Sequence, residues 1–104
     1  LPHVVALNAP NAPQVASRLA AALNESAATP PPVKAETDVP GAAAVQALNQ
    51  LYDDVGAPRA LQTVGFTENN IDEAVRRAME VAPNSNPTPA GESDLRYMLC
   101  AALK

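Results

Sequence analysis

The sequence predicts an all-α fold, organised as a helical bundle. In every long segment the apolar residues recur at the spacing of a helix, and no segment alternates apolar and polar residues for the length of a strand. Glycines and prolines stand between these segments, where they end one helix and separate it from the next. Hydrophobic residues make up 47% of the sequence but aromatic residues only 3%, so we expect a core of alanine and aliphatic side chains.

The predicted helices lie near residues 1–8, 12–24, 41–55, 70–82 and 93–103. The first ends ahead of Pro10 and Pro13, because proline has no backbone N–H to donate. The other helices carry apolar stripes that we expect to face the core: Val15, Leu19, Ala22 and Leu23; Val45, Leu48, Leu51, Tyr52 and Val55; Ile71, Ala74, Val75, Ala78, Met79 and Ala82; and Leu95, Met98, Leu99, Ala102 and Leu103.

The helix boundaries have recognisable signals. Gly56 is suited to end the third helix, and Gly65 to end a short turn over residues 59–64. Thr67 is a good residue to begin the fourth helix, because its side chain can satisfy a free N–H group. Gly91 precedes the last helix, and Ser93 or Asp94 is expected to share the capping of its first turn.

A proline-rich segment at about residues 25–39 interrupts the helical pattern. Pro30, Pro31 and Pro32 favour an extended backbone, and few of their neighbours are apolar enough to be buried. We predict an exposed loop between two helices here; a proline-rich docking site for another protein is the alternative.

Charge and cysteine content limit the partners. The net charge is −4 and the seven Lys and Arg residues are scattered, which disfavours nucleic acid and anionic membranes as partners. No apolar run approaches the roughly 20 residues of a membrane-spanning helix. Cys100 is the single cysteine, and we expect a small packing residue rather than a reactive thiol. A lone cysteine fits a reducing compartment, which predicts a cytoplasmic location.

The first residues have the pattern of a helix that has already begun. Leu1, Val4, Val5 and Leu7 resemble its last buried turns. We therefore expect the chain to be the C-terminal part of a longer protein, called the parent protein below. In that interpretation residues 1–104 are a single helical domain fragment.

Four segments, in order along the chain, carry a family resemblance. They contain Leu-Pro-His followed by Asn-Ala-Pro in residues 1–10, Gly-Ala-Pro within residues 51–61, Val-Gly-Phe and Asn-Ile-Asp within residues 64–74, and Asn-Pro-Thr-Pro before Asp-Leu-Arg within residues 86–103. Together they resemble the helical domain of the maleylacetate reductases, in the iron-containing alcohol dehydrogenase superfamily. The fold that this resemblance implies is the C-terminal portion of a dehydroquinate synthase-like helical domain.

The resemblance also implies a function for the parent protein. It would use NADH or NADPH to reduce maleylacetate to 3-oxoadipate in the breakdown of aromatic compounds. The cofactor, and a divalent metal ion (Fe or Zn) if one is used, would bind outside this fragment, which alone would be inactive. An N-terminal nucleotide-binding domain would precede the fragment, and a homodimer is one assembly that the resemblance allows. The alternatives are a metal-dependent alcohol dehydrogenase and, in another class, a non-catalytic helical interaction module.

His3 is the one residue of this chain that the resemblance connects to a site. It matches the histidine of the Leu-Pro-His motif, whereas the family's metal ligands lie upstream of that motif. We expect a structural histidine, or one that lies near the substrate or orients a residue that does. A single histidine cannot by itself supply a metal site, and the four glycines form no dinucleotide-binding loop, so no metal-binding or cofactor-binding residue is expected here.

The charged residues give no catalytic pair. The adjacent acids Asp53-Asp54 and Asp72-Glu73 point in different directions on a helix, so we expect solvated surface groups rather than an acid–base couple. Salt bridges from Arg76 and Arg77 to Asp72 or Glu73 are expected at helical spacing. The candidate cations for a dianionic substrate are Arg59, Arg76, Arg77 and Arg96.

Overall fold

A computed structural model describes residues 1–26, 39–82 and 84–104. In these ranges the chain forms the helices α1 (Pro2–Asn8), α2 (Pro13–Ser26), α3 (Ala42–Val55), α4 (Ile71–Val81) and α5 (Glu92–Leu103), and it contains no strand. Short 3-10 turns occur at Ala9–Asn11, Leu61–Val64 and Glu68–Asn70. The all-α prediction is confirmed, and each helix begins and ends within about two residues of its predicted bounds.

The proline-rich loop predicted at about 25–39 lies largely outside the described residues. Helix α2 continues to Ser26, slightly beyond its predicted end, and the described chain resumes at Val39. None of the helices in the described ranges combines the length and hydropathy that a membrane crossing requires.

Helix α1 occupies the junction between two helix pairs. Helices α2 and α3 pack against each other, and α4 packs against α5. Helix α1 contacts both α3 and α5, so it bridges the two pairs. A seven-residue helix is too short to be stable in isolation, and α1 therefore depends on these contacts.

The core between α4 and α5 follows the predicted stripes. Ile71, Val75 and Leu95 are buried together, with Phe66 and Met98 among the half-buried residues that pack around them. Val75 is only 2% exposed, whereas Met79 of the same predicted stripe is 47% exposed and Ala82 is exposed too. The predicted stripe of α4 is therefore buried at its beginning and exposed at its end.

The core between α2 and α3 differs from the predicted stripes. Its buried positions include Ala16 and Ala20 on α2 and Ala44 and Ala47 on α3, whereas Val15 is 65% exposed. Ala16 and Ala20 lie one turn apart on the same face of α2, and Val15, which precedes Ala16, points about 100° away from that face. The predictions that Val15, Leu51 and Val55 face the core are therefore wrong, whereas Leu48 is buried as predicted.

The predicted helix ends are confirmed where local chemistry sets them. Gly56 and Gly65 follow α3 and the 61–64 turn with φ of +64° and +86°. Thr67 differs from its prediction, because it precedes the Glu68–Asn70 turn and not α4, which follows Asn70. The Asn70 side-chain oxygen accepts hydrogen bonds from the Thr67 backbone N–H at 2.8 Å and from the Thr67 hydroxyl at 2.9 Å, so that hydroxyl acts as a donor. Asp94 accepts the Gly91 N–H at 3.0 Å, so it shares the capping of α5 as expected.

Gly41 forms a tight contact that the sequence analysis did not identify. The Ala42 N–H donates to the Val39 carbonyl at 3.1 Å, and Gly41 has φ +81° and ψ 0°, which makes residues 39–42 a type II turn. A Cβ atom on Gly41 would lie 2.3 Å from the Cβ of buried Ala9. The Pro40-Gly41 pair was the available signal, since this turn favours proline and then glycine at its centre.

Candidate functional site

The end of α1 is joined to residues 84–91, the loop before α5, by a cluster of polar side chains. The Asn8 amide donates to the Asn86 side-chain oxygen at 3.1 Å, and the Asn86 amide donates to the Asn8 oxygen at 3.0 Å. The Asn86 amide also donates to the Thr88 carbonyl. All these groups are partly buried, so each satisfied group avoids a desolvation cost.

Thr88 adds further bonds between the same segments. Its backbone N–H donates to the Asn8 side-chain oxygen at 3.2 Å, and its hydroxyl donates to the Leu7 carbonyl at 2.9 Å. The Leu7 carbonyl lies in the last turn of α1, where carbonyl groups lack partners within the helix. Asn11 donates to the Thr88 hydroxyl oxygen at 3.1 Å. We call Asn8, Asn86 and Thr88 the polar clasp.

The polar clasp brings together the first and last of the segments that carry the family resemblance. Asn8 follows Leu-Pro-His, and Asn86 and Thr88 belong to Asn-Pro-Thr-Pro. Pro87 and Pro89 restrict the loop backbone on both sides of Thr88, because each fixes its own φ and limits the residue before it. The loop is thereby held in the conformation that presents Asn86 and Thr88 to α1.

A groove of about 700 Å³ lies beside the polar clasp. Val4 and Leu7 of α1 form one side, and residues of α4 and α5, including Met79 and Met98, form the other. The amides of Asn8 and Asn86 also line it, but they hydrogen-bond each other. The remaining surface of the groove is largely apolar.

His3 lies near the start of α1, more than one helical turn before Asn8 of the polar clasp. Its side chain is half-buried, and no residue in the described ranges makes a hydrogen bond with the imidazole. The expected role of His3, structural or close to the substrate, stays a prediction. Helix α1 carries His3 near one end and Asn8 at the other, so any shift of the helix moves both.

The candidate cations lie in exposed ion pairs. Arg59 pairs with Asp53 at 3.1 Å, and Arg96 of α5 pairs with Asp72 of α4 at 2.6 Å. The pKa of Arg96 is raised, chiefly by its hydrogen bond with Asp72. The ion pair between Arg96 and Asp72 joins α5 to α4. The sequence had instead indicated Asp72 as a partner for an arginine of its own helix, α4.

Glu73 has two arginine partners on α4, as its spacing predicted. Arg76 bonds it at 2.7 Å and Arg77 at 2.6 Å, and Arg76 also pairs with Glu80. The hydrogen bonds from Arg76 and then Arg77 lower the pKa of the Glu73 carboxyl to about 2. These exposed ion pairs leave both arginines of α4 paired with carboxylates.

Cys100 is exposed, so the expectation that it is a packing residue is wrong. The apolar face of α5 is formed by Leu95, Met98, Leu99 and Leu103, and Cys100 lies outside it.

Within residues 1–26, 39–82 and 84–104, no three His, Cys, Asp or Glu side chains are grouped as metal ligands. The described residues therefore do not fit a metal site.

Comparison with known proteins gives a family match. A family model described as "Fe-containing alcohol dehydrogenase family, C-terminal" matches residues 1–103. No curated protein matches the sequence, and no solved structure matches it.

Proposed function

The chain belongs to the Fe-containing alcohol dehydrogenase family, of which it represents the C-terminal region, and from this membership we propose that it is the helical part of a nicotinamide-dependent reductase acting on maleylacetate. The family is one of oxidoreductases, which supports an enzymatic parent protein. The choice of maleylacetate over an alcohol is the finer part of the proposal and depends on particular residues of this chain.

The observation that carries this choice is the pair of motifs at the polar clasp. Leu-Pro-His with Asn-Ala-Pro, and Asn-Pro-Thr-Pro, are the segments by which the sequence most resembles the maleylacetate reductases. They hydrogen-bond each other through Asn8, Asn86 and Thr88. Contact between the two motifs supports the interpretation that they belong to one structural feature.

Membership in the family implies that the parent protein uses NAD(P) and a metal ion. The described residues contain neither a group of metal ligands nor a glycine-rich dinucleotide loop. Following the family resemblance, we propose that the cofactor and the metal ion bind in a nucleotide-binding domain of the parent protein and at the boundary of that domain with this one. In that arrangement this chain supplies one wall of the substrate cleft.

The proposed reaction is balanced by the nicotinamide cofactor. Reduction of the carbon–carbon double bond takes a hydride from NADH or NADPH and a proton, and it gives 3-oxoadipate and the oxidised cofactor.

In this chain, His3 is the residue we place nearest to the substrate. The arginines are a weaker choice, because carboxylates of the same chain already pair with Arg59, Arg76, Arg77 and Arg96.

The second candidate is a metal-dependent alcohol dehydrogenase, which the description of the matching family favours. A comparison of rates with the full-length parent protein separates the two. We expect NADH oxidation with maleylacetate to exceed NAD⁺ reduction with simple primary alcohols, and 3-oxoadipate to accumulate. Alcohol oxidation without reduction of maleylacetate would establish the second candidate instead.

A cytoplasmic location is part of the proposal, because the chain carries a single cysteine.

A further inference from the structure

The polar clasp couples helix α1 to the 84–91 loop through hydrogen bonds. Asn8 is bonded by both Asn86 and Thr88, and the Thr88 hydroxyl holds a carbonyl of the last turn of α1. Because α1 has only seven residues, these bonds fix much of the helix rather than a frayed end. The orientation of α1 is therefore set partly by a loop 78 residues later in the sequence.

Two features with functional potential depend on this orientation. His3 lies on α1, and Val4 and Leu7 of the same helix form a side of the apolar groove. The clasp residues hydrogen-bond one another, so they act as supports for these features and have few groups left to offer to a substrate.

We propose that Asn8, Asn86 and Thr88 are positioning residues, which hold α1 so that His3 and the groove take their working geometry in the parent enzyme. The inference rests on the function proposed above for its link to turnover. Misplacing a reacting or orienting group by about 1 Å can lower a rate up to about a hundredfold. A residue that only supports α1 can therefore have a measurable effect on turnover.

The first test measures the position of α1 without measuring activity. Thr88→Val keeps the shape of the side chain but removes the hydroxyl, and Asn86→Asp sets an oxygen against the Asn8 oxygen. In the full-length protein, hydrogen–deuterium exchange of the backbone amides of residues 5–8 should become about tenfold faster or more in both variants, because each variant loses two side-chain hydrogen bonds. The matched control is Asn69→Asp, the same chemical change at an exposed amide. Unchanged exchange in α1 would overturn the proposal.

The second test measures turnover of the folded enzyme. Thr88→Val should lower kcat about tenfold at a temperature well below the unfolding transition. Thr88→Ser keeps the hydroxyl and should restore most of that loss. A support that only stabilised the fold would lower Tm and leave kcat unchanged, and this result would also overturn the proposal.

Failure of the proposed function has a separate signature. If the unmutated parent protein does not reduce maleylacetate, the substrate assignment fails, and the same variants are compared with a primary alcohol as substrate. A kcat loss in Thr88→Val that Thr88→Ser reverses then still supports the polar clasp as a positioning device. Equal kcat in all three proteins contradicts it with either substrate.

Discussion

Asn8 and Asn86 donate side-chain hydrogen bonds to each other, at 3.1 and 3.0 Å, across 78 residues of sequence. Each amide supplies one donor and one acceptor, so the pair is reciprocal. This contact fixes the loop before α5 to the end of α1. It also connects the part of the chain that contains His3 with the part that contains the last helix.

Asn8→Ala should destabilise the fold. The change removes the acceptor for the Asn86 amide and for the Thr88 N–H, and it leaves partly buried groups without partners. We expect the free energy of unfolding to fall by about 1–3 kcal/mol, measured by urea denaturation. Asn69→Ala changes an exposed asparagine and should alter it by less than about 0.5 kcal/mol. Equal stability of the two variants would show that the pair contributes nothing.

Gly41→Ala should be more damaging than Gly65→Ala. Both glycines have positive φ, so alanine meets a backbone penalty of about 1–2 kcal/mol at either position. An added Cβ at Gly41 would also lie 2.3 Å from the Ala9 Cβ, whereas nothing lies within 4 Å of one at Gly65. Thermal unfolding of both variants checks the difference. A larger loss at Gly65 would contradict the close approach of the 39–42 turn to Ala9.

The stabilising contribution of Glu73 should disappear in acid. Its pKa is lowered from 4.5 to about 2 by hydrogen bonds from Arg76 and Arg77, so the folded chain favours the ionised form. A carboxyl with a depressed pKa stabilises the fold above the unfolded pKa, and this stabilisation is lost as the pH falls through the folded value. The stability difference between the unmutated chain and Glu73→Gln should therefore shrink between about pH 4.5 and pH 2.

Salt provides the control for this electrostatic effect. In 1 M NaCl the screening length falls to about 3 Å, which weakens exposed ion pairs, and Glu73 is 50% exposed. The neutral-pH difference between the two proteins should then become smaller. If the difference is the same at pH 7 and near pH 2, another property of the substitution is responsible.

His3→Ala should leave the metal content of the parent protein unchanged. In the family resemblance the ligands lie upstream of Leu-Pro-His, and no described residue joins His3 in a group of ligands. The half-buried imidazole has no hydrogen-bond partner in the described ranges, so we expect a stability loss below about 1 kcal/mol. Metal analysis and thermal unfolding provide the two measurements. Loss of the metal with an intact fold would instead identify His3 as a ligand.

Local chemistry explains why the helices were predictable. The apolar spacing of α4 and α5 identifies Ile71, Val75 and Leu95 as core residues, and all three are buried together. Gly56 and Gly65 end elements for reasons contained within a few residues. These features require no knowledge of which helix packs against which.

The contacts between distant residues were not predictable in the same way. Asn8 and Asn86, or Asp72 and Arg96, show no periodicity that relates them, and their meeting depends on how the helix pairs are arranged. The burial of Ala16 in place of Val15 has the same origin, because the apolar spacing of α2 does not by itself show which face of the helix meets α3. The metal and cofactor assignments rest on family membership, since the described residues contain no such site.

The central claim is that this chain is the helical part of a nicotinamide-dependent enzyme whose cofactor binds outside residues 1–104. Titration of NADH into residues 1–104 and into the full-length parent protein tests it most directly, with far-UV circular dichroism to confirm that the shorter chain is helical. We predict saturable binding to the parent protein and none to the helical chain at micromolar concentrations. Micromolar binding to the helical chain would contradict the claim, and so would a folded parent protein that binds neither NADH nor NADPH.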